Sequence, residues 1–266
     1  HRDLHSFPTR RSSDLRVAFI VRSTFEIVRG GDTIQALCTA AELRKLGVQV
    51  DIFGASERID YRKYDLLHLF NLSRPADHLE HIGHSCLPYV VSTIFVDYSG
   101  FDTHSRNAFS RQLFRMAGRH RAEYFKTCYR VFRGQDRLVS RSYLKGHRRA
   151  MMKILSGAKM LLPNSFSEYS RLVREFGSES IQPAHRIIPN GIDPGLFKIP
   201  GGFDRRDDLI ICVGQIYGLK NQHQLIEATR KLGVKLLIIG NPPPNHGGYM
   251  ARSEERRVGK ECRSRC

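Results

Sequence analysis

No pair of cysteines in this chain is spaced as CxxC, and no apolar run approaches the roughly 18 to 20 residues that a membrane-spanning helix needs. The first absence argues against a structural metal site, the second against a helical membrane span. Other signatures are missing as well. No GxGxxG follows a strand, which leaves a nicotinamide cofactor without its usual phosphate turn. No RNP, KH or zinc-finger pattern occurs, so nucleic acid is not an expected partner. There is neither a solenoid-length repeat nor a low-complexity tract. Acidic residues are scarce, 26 Asp and Glu against 43 Lys and Arg, for a formal net charge of +17.

The ends are expected to be foreign. A codon choice for Arg252–Cys266 has a reverse complement that reads His1–Leu15 in a shifted frame, as translated sequencing adapter would. Residues 1–15 and 252–266 are therefore set aside as foreign N-terminal and C-terminal segments. They carry nine basic and five acidic residues, so the charge of the remainder is still strongly positive. Much of it is local: residues 105–149 hold 13 Lys and Arg against Glu123 and Asp136 alone. Of the cysteines outside the foreign ends, Cys38 and Cys212 lie in apolar segments where a buried thiol is ordinary, the pattern of a reduced, cytoplasmic protein without a metal centre.

What is present is alternating α/β grammar. RVAFIVRS (Arg16–Ser23), a polar loop and TIQALCTAAELRKLG read as strand, loop and helix. Ile34, Leu37, Cys38, Ala41 and Leu46 recur at helical spacing, and VQVDIF starts the next strand. YDLLHLFN and PYVVSTIF read as short buried strands, and residues 105–149 as helical. MMKILSG is a further helix, AKMLLPNS a strand, Ser167–Gly177 a helix with a serine cap, and RIIPNGID a strand running into a turn. DPGLFKIPGGFDRRDD has the composition of a linker, after which DLIICVGQI, YGLKN, QHQLIEATRKLG and VKLLIIG restart the strand–helix–strand order. The expected fold is α/β: a doubly wound domain over residues 16–205 and the first βαβ unit of a second over 206–251.

Four segments in this order, GGDTIQALCTAAELRKLGVQVDIF, LLPNSFSEYSRLVREFG, IIPNGIDPGLF and ICVGQIYGLKNQHQLIEATRKLGVKLLIIG, resemble the retaining family 4 glycosyltransferases of the GT-B fold. The resemblance covers nearly all of 16–251. It implies two Rossmann-like halves: an acceptor-side N-terminal domain and a C-terminal domain that binds a nucleotide diphosphate sugar. It further implies sugar transfer to a glycan or lipid-linked acceptor, as in cell-surface polysaccharide synthesis, with retention at the anomeric carbon and no cofactor or metal.

A donor diphosphate calls for backbone N–H groups at a glycine-rich turn or helix N-terminus and for a nearby cation. Gly30 and Gly31, between a strand and a helix, fit the first need, and the resemblance makes them face the donor; a tight βα turn without a ligand is the other reading. Lys220, ahead of the second domain's first helix, fits the second, since a lysine there opposes the helix dipole; an ordinary surface lysine is its alternative. Asn190, Gly191 and Asp193 form the linker turn, read equally as turn chemistry and as shaping a donor cleft. Ser165 and Glu168 are expected to cap and solvate a helix, and His68 to be a satisfied core histidine.

The chain departs from the family at two places. Gln215 stands where an arginine is usual, and Phe95 where a histidine often faces the reacting sugar, so Asp97, two residues on, is the substitute candidate for a catalytic or acceptor contact. The family's acidic pair, two glutamates separated by seven residues, would lie beyond Ala251, and the fragment is expected to be inactive. An inactive Rossmann-like scaffold, or a basic nucleic-acid-binding protein, is the rival reading.

Residues 105–149 interleave arginines with Phe109, Phe114, Tyr124, Phe125, Tyr129 and Phe132, a composition that fits an anionic membrane surface and peripheral attachment to the inner leaflet. An ordinary solvated helical face is the alternative. Co-sedimentation at low salt with anionic and with neutral liposomes separates them: stronger binding to the anionic vesicles is expected, and equal, negligible binding to both ends the membrane reading.

Overall fold

The computed structural model describes residues 14–23, 25–26, 30–96, 124, 143–181, 183–195, 208–242 and 249. They divide into two compact units, the first ending at Gly191 and the second beginning at Ile192.

The first unit is built on six parallel strands: β1 (Arg16–Val21), β2 (Gln49–Gly54), β3 (Leu66–Phe70), β4 (Tyr89–Ser92), β5 (Met160–Leu162) and β6 (Ala184–His185). Their order is β2-β1-β3-β4-β5-β6. Strand order reverses between β1 and β3, so the crevice between their carboxyl ends is the switch point of a doubly wound sheet, the place where open α/β sheets bind ligands.

Alternation along β1 explains why both faces are covered. Ala18 and Ile20 enter one core with Leu67, Leu69, Val91 and Leu161, while Val17, Phe19 and Val21 enter another with Val50 and Phe70. Helix α1 (Gly31–Lys45) covers the second core. Helices α2 (Pro75–Ser85), α3 (His147–Gly157) and α4 (Phe166–Phe176) supply residues to the first. Successive side chains of a strand point to opposite faces, so a strand apolar at every position needs a layer on each side.

Several expectations are corrected here. Helix α1 turns Thr33, Ala36 and Ala40 to the sheet and leaves Ile34, Leu37 and Leu46 exposed. Small residues allow its backbone close to the strands, and the bulkier periodic set lies off that face. Cys38 is consequently exposed, and Cys212 only half-buried. Helix α2 had no counterpart in the sequence reading, because two of its four buried positions, beside Pro75 and Leu79, are His78 and His81. The strand expected at RIIPNGID (Arg186–Asp193) does not form; β6 is the two residues before it, Ala184–His185. Beyond it Arg186 N–H and Ile188 N–H donate to the carbonyls of Leu161 and Pro163 (3.0 and 2.9 Å), and the prolines and glycine that follow leave no regular ladder. Asp97 and most of 105–149 lie outside the described residues. Among the described residues no helix is long and apolar enough to cross a membrane.

The second unit pairs β7 (Leu209–Val213) with β8 (Lys235–Ile239) in parallel, joined through α5 (Gln222–Leu232). At their carboxyl ends the backbones nearly touch: a Cβ built on Gly240, at φ +152°, would stand 1.9 Å from the Gly214 carbonyl oxygen. Only glycine tolerates that approach.

The buried face of α1 yields a contrast. Ala40→Leu should cost about 1–3 kcal/mol by overpacking, while the exposed Ile34→Ala should stay within about 0.5 kcal/mol of the parent. Urea denaturation of both variants measures it.

Candidate functional site

The carboxyl edge of the first sheet gathers side chains that are distant in sequence. Arg22 follows β1, Asn71 follows β3, Asn164 follows β5, and Gly30 to Gln35 open α1. Asp32 lies at their centre. Its Oδ1 accepts the Thr33 N–H (3.0 Å), and its Oδ2 accepts the Asn71 amide (3.1 Å) and stands 3.4 Å from Arg22 Nε. Arg22 also donates to Thr33 Oγ1 (3.3 Å). The Arg22 and Asp32 side chains are only 16% and 13% exposed, so this pair is shielded far more than an ordinary surface salt bridge. A carboxylate in the first turn also sits well in the α1 dipole.

Asn71 has a φ of 74°, in the left-handed region that asparagine tolerates better than most residues. Its own side chain stabilises the turn by accepting the Ser73 N–H (3.1 Å). Across the crevice Gln35 and Asn164 exchange two amide hydrogen bonds, 2.8 and 3.2 Å, which tie α1 to the end of β5.

The residues expected from sequence are distributed as follows. Gly30 is the N-cap of α1 and has extended backbone. A Cβ there would meet Asp32 Oδ1 at 2.7 Å and Arg22 at 2.9 Å, so its smallness accommodates the ion pair. Gly31, the first helical residue, faces open space. Asn190 and Gly191 are exposed on the segment running on from β6 beside the end of β5, and the nearby Asp193 Oδ1 accepts the Gly195 N–H at 2.7 Å, as in a turn. Lys220 belongs to the second unit, in the short 3-10 turn Gly218–Lys220 before α5. It is exposed, and its Cε lies 3.9 Å from the Cβ position of Gly214. The buried Gln222 holds that loop by donating its amide to the Gln215 carbonyl (2.9 Å), and His223 N–H reaches the Tyr249 hydroxyl (3.3 Å) while the two rings stack.

Sequence reasoning passed over Arg22, Asp32, Gln35, Asn71 and Asn164. The signal available was position: each lies just after a strand or near the start of a helix. Ser165 does cap α4 by accepting the Glu168 N–H (3.1 Å), but Glu168 is buried rather than solvated. Its Oε1 accepts the Thr93 hydroxyl and the Phe95 N–H, and its Oε2 the Asn164 N–H. Phe95 is a core residue, 1% exposed.

The buried histidines are structural. His68 Nε2 meets Ser92 Oγ at 2.9 Å between the rings of Phe19 and Phe70, and burial pushes its pKa down to about 3. His78 Nε2 donates to the Asn71 carbonyl (3.2 Å), and burial lowers its pKa to about 4. His81 is held between the Ala55 carbonyl and the Tyr61 hydroxyl, its pKa also lowered by burial. Among the described residues no group of three or more His, Cys, Asp or Glu could hold a metal ion.

A doubly wound parallel sheet followed by the opening βαβ unit of a second Rossmann-like domain defines a partial GT-B-type fold. Among solved structures, sucrose-phosphate synthase from Thermosynechococcus elongatus is similar at a TM-score of 0.58 and 12% identity, over 91% of this chain and 67% of that one. Anabaena Alr3699/HepE, solved in complex with UDP-glucose, is similar at 0.57 and 12%, over 91% of this chain and 65% of that one. The chain thus spans about two thirds of the length of these glycosyltransferases, and at such identities the likeness is one of fold. No protein-family model and no curated protein sequence matches it.

Three neutral buried histidines set a pH dependence. The unfolded chain binds their protons below about pH 6.5 and the folded chain does not. Stability is therefore complete above about pH 6.5. It should fall as the pH drops toward the folded values of about 4 and about 3, by up to about 1.4 kcal/mol per pH unit for each histidine. Denaturant midpoints at pH 7 and pH 5 measure it, and Tyr61→Phe should leave most of the slope in place.

Proposed function

We propose that this chain is the acceptor-side domain and the opening of the donor-binding domain of a nucleotide-sugar-dependent glycosyltransferase. The observation that carries the reading is a likeness of fold that extends through both units of the chain to enzymes of that class, one of them solved with UDP-glucose. The ordered motifs of the sequence support it independently.

In this reading the second unit meets the donor diphosphate. Lys220 is the cation beside the N-terminus of α5, and the glycine pair Gly214 and Gly240 keeps the neighbouring backbone low enough for a ligand to approach. Gly30 and Gly31 open the ligand-facing edge of the first unit, with open space at Gly31 for the sugar. The Asp32 carboxylate, neutralised by Arg22, suits hydroxyl groups there better than phosphate. Asn190 and Gly191 shape the approach to the donor, and Asp97 is the candidate contact for the acceptor or reacting sugar.

The acceptor is a glycan or lipid-linked glycan in cell-surface polysaccharide synthesis, and transfer retains the anomeric configuration. Helix dipoles and cations neutralise the leaving diphosphate, so no metal is needed. The protein works in the cytoplasm, with 105–149 as its contact with the inner leaflet. Sugar transfer itself needs the family's acidic pair.

Titration calorimetry of the 266-residue chain with UDP-glucose and with NADH tests the donor reading. Saturable binding of UDP-glucose is expected, weakened about five- to tenfold by Lys220→Ala, the loss of one charge-assisted contact. NADH should bind far more weakly. Absence of UDP-glucose binding at millimolar concentration, or an unchanged affinity in the variant, contradicts the reading.

A further inference from the structure

The exit of β4 holds a β-branched residue where such residues are rarely found. Ile94 has a φ of 41°, left-handed backbone in which the branched Cβ crowds its own carbonyl. It packs on the α1 side of the sheet, while its neighbours Thr93 and Phe95 are buried.

Helix α4 grips both neighbours. Glu168 Oε1 accepts the Thr93 hydroxyl on one side of Ile94 and the Phe95 N–H (2.7 Å) on the other. One turn along, Arg171 donates to the Phe95 carbonyl (3.5 Å), and Phe176 packs its ring 5.8 Å from that of Phe95. Glu168 is itself fixed, its Oε2 by the Asn164 N–H (2.9 Å) and its backbone by the Ser165 cap. Two backbone N–H groups and one hydroxyl thus converge on a single buried carboxyl group. Left-handed backbone at a branched residue persists only where its surroundings over-determine it. This one lies at the carboxyl edge of a parallel sheet, where ligands bind.

We propose that Glu168, with Arg171, is a positioning residue: α4 clamps the exit of β4 around a strained Ile94 and so presets the backbone of residues 93–96 at the ligand-facing edge of the sheet. A ligand arriving there meets backbone already ordered, which lowers the entropy lost on binding. The clamp stands on the geometry of the first unit and does not require the transferase reading.

Hydrogen exchange on the 266-residue chain tests it at Leu72, whose N–H donates to the Thr93 carbonyl (2.9 Å) and never touches Glu168. Glu168→Gln replaces an acceptor with a donor. It should speed exchange at Leu72 by about tenfold relative to the rest of β3 and β4, as local opening of the β4 exit becomes easier. Adding Ile94→Gly, which removes the strain, should bring Leu72 back to within about threefold of the parent, a coupling between the two changes rather than a sum. If Glu168 only ties α4 to the sheet, glycine brings extra freedom and no rescue, and the losses add. That result overturns the proposal, as does an unchanged Leu72 in Glu168→Gln. Should Glu168→Gln not fold, Thr93→Val removes one donor at nearly constant volume, and rescue of its smaller loss by Ile94→Gly decides the question in the same way.

Discussion

Strand β1 is buried over five consecutive residues, Val17 to Val21, and a parallel strand with no polar face cannot be left open to solvent on either side. The fold follows from satisfying that requirement. Helix α1 closes one face, and the helices that follow the reversal of strand order supply the other. Reversal at β1 and β3 then leaves the crevice between their carboxyl ends uncovered, and there the backbone turns that link strands to helices bring Arg22, Asp32, Asn71 and Gln35 together. The polar edge is a by-product of burying the apolar strand.

Electrostatics at that edge are balanced within the protein. Asp32 faces a cation, an amide and a helix amide, and Glu168 faces a hydroxyl and two backbone N–H groups. Two carboxylates, both in the first turns of helices, organise the exits of β1, β3, β4 and β5. The glycines Gly30 and Gly31 differ in surroundings although adjacent: a Cβ at the first would crowd Asp32 and Arg22, while one at the second would meet nothing within 4 Å. The proposed division of labour, hydroxyl groups at the first unit and diphosphate near Lys220 in the second, reflects this difference in charge.

Continuous apolar runs made β1, β3, β4, β7 and β8 legible, since a buried parallel strand is apolar at nearly every position and leaves a local signature. The serine cap of α4 was legible from capping chemistry, and the restart of strand–helix–strand order after the linker from the recurrence of such runs. Helix α2 was not, because histidines occupy two of its core positions and break the apolar periodicity that would mark a buried helical face. The buried face of α1 was not legible, because spacing identifies a helix but does not say whether the large or the small residues face a sheet that must be approached closely.

The sequence by itself determined the class of fold, most of its buried strands and the places where chain turns meet strand ends, because periodicity and turn chemistry are properties of neighbouring residues. Tertiary structure alone decided that Asp32 pairs with Arg22 and Asn71, that Gln35 pairs with Asn164, and that Glu168 closes over Thr93 and Phe95 around a left-handed Ile94. The Glu168 contacts reach across 73 to 75 residues and the Gln35–Asn164 pair across 129, joined only when the strands line up in register. No local pattern encodes which polar side chain will find which partner, since that depends on the sheet order and on burial, which leaves each donor and acceptor without water.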